Sequence, residues 1–101
     1  MFRRGRFDDL IRRQLDLFET DEAMLLEDAA EADSTWKNAG ADESEELYGD
    51  FQLIVDAIGE RLYDIREAYA STLDESAGAE YREAFTVTAT KRFGRLAAFL
   101  E

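Results

Sequence analysis

The chain has 101 residues, 24 of them Asp or Glu against 12 Lys or Arg, giving a formal charge of −12, and it contains no His, no Cys and no Pro. Without His and Cys the commonest general base, the thiol nucleophile and the preferred soft-metal ligands are all missing, so any chemistry here has to be carboxylate chemistry. The missing Pro leaves no imposed helix break, and the missing Cys excludes a disulfide framework and points to a reducing, cytoplasmic setting.

With 46% apolar and 12% aromatic residues, the chain has enough apolar surface to outweigh its ordering entropy despite the charge, and its length suits a single domain over residues 1–101. The opening Met1-Phe2-Arg3-Arg4-Gly5-Arg6 is basic. Asp8, Asp9, Arg12 and Arg13 then interrupt the apolar run that an export signal needs. No stretch approaches the roughly 18 apolar residues that span a bilayer. A soluble protein is expected.

Phe7, Ile11, Leu15, Phe18, Leu25, Ala29, Ala32 and Trp36 step by three and four, which predicts a first helix over about 6–38. Glu22 falls where the stripe wants an apolar side chain, and Thr20 is a candidate N-cap, so a break is expected near Thr20. Glu22 is then a first-turn acid rather than a buried seam residue. Gly40 is expected to supply a left-handed stop, with Asp42 and Glu45 as a capping box for the next helix.

The second helix, over about 42–74, carries the strongest stripe: Leu47, Phe51, Ile54, Ile58, Leu62, Ile65, Tyr69 and Leu73. Thr72, Asp74, Ser76 and Gly78 then form a cluster of caps and breakers. The third helix, over about 78–100, repeats the spacing with Tyr81, Phe85, Ala89, Phe93, Leu96 and Leu100. Phe51, Ile54, Ile58, Ile65 and Phe85 are the expected core, and Tyr63, Tyr69 and Tyr81 are expected at its edges with wet hydroxyls.

A helix of about 32 residues is nearly 50 Å long, far more than a compact domain of this size spans. The expected fold is therefore all-α, an elongated bundle of three long helices, or four with the break. Leu17, Met24, Leu26, Val55 and Phe99 lie off the main stripes and need cover, which dimerisation supplies.

Charge is segregated. Residues 1–13 hold five Arg against two Asp, residues 91–101 hold three basic residues against one Glu, and the stretch between carries −17. In an up-down-up arrangement Arg3, Arg4 and Arg6 are expected to meet Asp64, Glu67 or Asp74, and Lys91, Arg92 and Arg95 to meet Glu43, Glu46 or Asp50. Arg3, Arg4 and Arg6 also oppose the dipole of a helix starting beside them, which makes them candidates for an intermolecular anion. Nucleic acid and membrane surfaces fit poorly beside so acidic a middle; a basic protein partner suits it. Trp36 and Tyr48 flank the Gly40 turn and form either a hydrophobic plug or an aromatic landing pad for a partner.

Asp56, Glu60, Asp64 and Glu67 line one edge of the second helix, where a divalent cation would relieve their repulsion. They are expected to be exposed acids without metal. Di-iron chemistry is excluded for want of Glu-x-x-His pairs.

Glu19-Thr20-Asp21-Glu22, the run Asp28-Ala29-Ala30-Glu31 and the run Glu45-Glu46-Leu47-Tyr48-Gly49-Asp50-Phe51 give a partial resemblance to the all-α nucleoside triphosphate pyrophosphohydrolases of the MazG-like group. Glu46 and Asp50 stand four apart where that family has three. The resemblance spans Glu19 to Leu62 and implies a Mg²⁺-dependent pyrophosphohydrolase with catalytic Glu22, Glu27, Asp28, Glu31, Glu46 and Asp50, the metal held by Glu31, Glu46 and Asp50. The residues themselves favour a non-enzymatic, acidic interaction or assembly module that self-associates, with no cofactor, and with Arg3, Arg4, Arg6, Trp36 and Tyr48 at its contacts.

Overall fold

A computed structural model describes residues 5–101. The chain is all-α: α1 (Asp8–Asp21), α2 (Ala23–Lys37), α3 (Ala41–Ala70) and α4 (Glu75–Phe93) are followed by a 3-10 segment (Gly94–Leu100). No strand occurs among the described residues.

The first expected helix is divided, but at Glu22 rather than at Thr20. Glu22 leaves helical geometry (φ −111°, ψ 28°), while its N–H still bonds the Phe18 carbonyl and its own carbonyl accepts from Leu26. Thr20 caps nothing. It lies inside α1 and its hydroxyl donates back to the Asp16 carbonyl at 3.2 Å. The bend falls on the one seam position occupied by a charge, where a straight helix would carry a carboxylate into apolar surroundings.

Gly40 is not left-handed either. At φ −70° and ψ 164° it is extended and serves as the N-cap of α3, which has no side-chain cap, so the Asp42–Glu45 capping box does not form. The turn needs only an extended residue before the helix, and Gly40 meets that without its special freedom. α3 ends at Ala70, and Asp74 accepts from the Ala77 N–H at 2.8 Å to start α4 at Glu75, ahead of the expected 78.

The third helix stops short of 100. Gly94, at φ 58° and ψ −128°, is the only positive-φ residue among those described, and the chain reverses there. Beyond it Arg95 lies over the Phe51 ring and Phe99 reaches Tyr63, so the 3-10 segment runs back along α3.

These elements surround α3. Trp36 meets Tyr48 and Phe51 while Glu22 meets Arg61, so α2 is antiparallel to α3. Tyr69 meets Tyr81, and Glu67 meets Arg82, so α4 is also antiparallel to it. α1 lies along α4 in the same direction, Phe7 on Tyr81 and Phe18 on Phe93. The molecule measures 50 × 29 × 22 Å, its long axis close to the about 45 Å that thirty helical residues span.

The core gathers Ile11, Leu15, Phe18, Ile58, Leu62, Tyr81, Phe85 and Ala89. Phe51 is buried against Trp36 and Tyr48, and Ile54 and Ile65 are half-buried. Val55, expected to need cover from outside, is buried within the chain, and Leu26 is half-buried; Leu17, Met24 and Phe99 remain exposed.

Tyr81 departs most from its expected edge position. It is fully buried, packs against Phe7, Tyr69 and Phe85, and donates its hydroxyl to Gln14 Oε1 at 2.8 Å. A buried phenol needs such a partner.

Candidate functional site

The acids of the pyrophosphohydrolase reading lie on α2 and α3 and at the bend between α1 and α2. Asp28, Glu31 and Asp50 border one shallow groove with Leu47 and Ile54. Glu22 is turned instead toward Arg61, 3.3 Å away, and borders a different groove. Glu27 and Glu46 are exposed and line neither groove. Among the described residues no group of three acidic side chains is placed to hold one metal ion. Asp56, Glu60 and Asp64 are exposed on α3, while Glu67, at the end of that row, is taken into ion pairs.

The expected charge pairing is replaced by another. Arg6 meets Glu80 on α4 at 3.1 Å and lies over the Phe7 ring; α1 begins at Asp8 with Asp8 and Asp9 in its first turn, so its dipole is complemented. Arg3 and Arg4 lie outside the described residues. Arg92 pairs with Asp16 and with Glu19, the latter at 2.8 Å. Arg95 pairs with Asp33 at 2.8 Å. None of these cations goes to Glu43, Glu46 or Asp50, because the reversal at Gly94 turns Arg95 toward α2 and the parallel run of α1 and α4 brings Arg92 to α1.

Three of these pairings shift titrations. Asp33 is held below its ordinary value, chiefly by the hydrogen bond from Lys37, against some burial and with Arg95 adding to the effect. At Glu67 burial pushes upward, but the bonds from Arg66 and Arg82 together outweigh it and the carboxyl is lowered. Arg92 is raised by its bond to Asp16. Burial also raises the Tyr81 phenol, with the Gln14 bond opposing.

Trp36 and Tyr48 stack edge to face at 4.9 Å, and both approach Phe51. They pack together beside the α2–α3 turn, and Tyr48 stays 43% exposed.

A groove of about 320 Å³ opens between α1 and α3, lined by Leu17, Phe18 and Ile65 with Asp21, Glu22, Arg61 and Asp64 around it. Leu17, Met24 and Leu53 are 60%, 77% and 69% exposed. Leu53 carries no signal in the α3 stripe and was legible only as an apolar residue off it.

Sequence reasoning passed over Arg66 and Gly59. Arg66 is nearly buried and donates to Glu67, to Thr86 Oγ1 at 2.8 Å and to the Leu100 carbonyl at 3.3 Å, joining α3, α4 and the 3-10 segment. Gly59 admits Phe99: a Cβ there would lie 2.2 Å from Phe99 Cβ. Arg66 gave no periodic signal, since its neighbours one turn away are Leu62, Tyr63, Tyr69 and Ala70; Gly59 in mid-helix was the signal for a close approach.

No protein-family model matches the chain, and neither a curated protein nor a solved structure gives a significant match to it. No helix among the described residues is long and apolar enough to cross a membrane.

Proposed function

We propose that the chain is a non-enzymatic, acidic helical module that self-associates, two elongated bundles completing each other as a cytoplasmic dimer. The observation that carries this reading is the exposure of Leu17, Met24 and Leu53, each more than half open to water on a small chain with few such side chains to spare. Apolar side chains at this exposure gain when a second copy covers them, at about 25 cal/mol per Å² removed from water. The remaining surface is strongly acidic. It suits a basic protein partner and repels nucleic acid and anionic lipid. Arg3, Arg4 and Arg6 are offered to the acidic surface of a second copy, and the Trp36–Tyr48 pair to a protein partner.

Light scattering on the purified chain tests the association. A mass near twice 11.5 kDa is expected, falling toward the single-chain mass in Leu17→Glu/Leu53→Glu, with helical content retained. A single-chain mass at every concentration removes the proposal.

A further inference from the structure

Resting on the self-association just proposed, we infer that the 3-10 segment is an exchangeable arm: Gly94 opens, and Gly94–Leu100 of each copy seats on α3 of the other.

The hinge is one residue long. α4 runs to Phe93, the reversal is made at Gly94 alone, and the 3-10 segment begins there. A one-residue hinge is where arm exchange arises, and at this one the folded-back form is open only because glycine takes the positive φ at no steric cost. A Cβ at Gly94 would meet nothing within 4 Å, so the restriction at this position is one of backbone dihedrals and not of space.

A second conformation is written in the sequence. Phe85, Ala89, Phe93, Leu96 and Leu100 keep helical spacing across the hinge, so α4 can continue straight through Gly94 with one apolar stripe intact. The folded-back form is locally weak by comparison. Seven residues of 3-10 helix exceed the three or four that this geometry usually sustains.

What holds the segment down is therefore its seat, and the seat belongs entirely to other elements. Phe99 fills the space left by Gly59 on α3. Arg66 donates to the Leu100 carbonyl, and Arg95 pairs with Asp33 on α2. Ala97 and Leu100 are buried. Each of these contacts is open to a segment from a second copy that keeps its 3-10 form beyond the opened hinge. Exchange loses none of them, and the balance is set by hinge preference against the concentration of chain.

The chain has no cysteine of its own, which gives a clean test. Gln52 and Ala98 border one crevice, from α3 and from the segment. Gln52→Cys and Ala98→Cys are made as separate chains, unfolded and refolded together, and treated with a short bismaleimide while mass is followed by light scattering. Exchange predicts covalent Gln52→Cys/Ala98→Cys heterodimers. It also predicts that Gly94→Ala, which disfavours the positive φ without a clash, tightens the dimer about tenfold. A dimeric mass without the cross-link overturns exchange and leaves self-association standing. A single-chain mass of the wild type at every concentration removes both. A Gly94→Ala chain that stays dimeric but no tighter than wild type contradicts the hinge.

Discussion

Tyr81 shows how much one buried polar group fixes. Its ring completes the core between α1, α3 and α4, and among the described residues its hydroxyl bonds Gln14. Tyr81→Phe leaves the Gln14 oxygen without that donor, and a loss of about 0.5–1.5 kcal/mol in urea-unfolding stability is expected. No loss would mean that water replaces the phenol. Burial also raises this phenol, so the native chain holds the proton that the unfolded chain gives up. Stability from Tyr81 is whole below the ordinary value of 10.0 and is lost as pH rises through the native one. Spectroscopic titration should show one tyrosine ionising only as the fold is lost.

Asp33 and Glu67 act at the other end of the scale. Both are lowered from ordinary values of 3.8 and 4.5, so on acidification the unfolded chain takes up protons first. Their contribution is intact above those values and fades as pH falls through the native ones. Glu67→Gln should therefore be less stable than the wild type at neutral pH, with the gap closing in acid. A gap independent of pH would contradict the ion-pair account, since a packing defect does not titrate.

Among the elements, α3 was the most legible. Its stripe of Phe51, Ile58 and Leu62 is strictly periodic, and a helix covered on two sides buries the neighbouring Val55 as well. The break in the first helix was legible as a conflict between Glu22 and its stripe, although the bend takes place at Glu22 itself. Glu22→Leu removes that conflict. It should leave stability unchanged or raise it by about 1 kcal/mol, since an exposed Arg61 loses little with its partner. A loss above about 2 kcal/mol would show instead that the ion pair holds the bend.

The reversal at Gly94 was harder to see because Phe93, Leu96 and Leu100 keep helical spacing through it. The stop was nevertheless written in Lys91-Arg92-Phe93-Gly94, basic residues in the last turn and then glycine. The ion-pair partners were not legible, because they depend on that reversal and on the parallel run of α1 and α4. The Trp36–Tyr48 contact was legible, since both flank one short turn.

At the level of the whole molecule, charge and shape act together. An excess of acid spread over a 50 Å body repels itself, and salt screens that repulsion over about 8–10 Å at moderate ionic strength. The melting temperature should rise between low and moderate salt. Melts that stay flat or fall would show that the surface ion pairs of Arg92 and Arg95 outweigh the general repulsion. The same elongation exposes side chains that a rounder fold would cover, and so links the shape to the proposed association.

Small-angle X-ray scattering tests that association most directly, since it reads mass and dimensions from one sample. A single chain has a mass of 11.5 kDa and a Cα radius of gyration of 15.7 Å, to which side chains and hydration add slightly in scattering. Forward scattering for two chains, with a radius clearly above 15.7 Å, is the expected result. Forward scattering for one chain at all concentrations would contradict it.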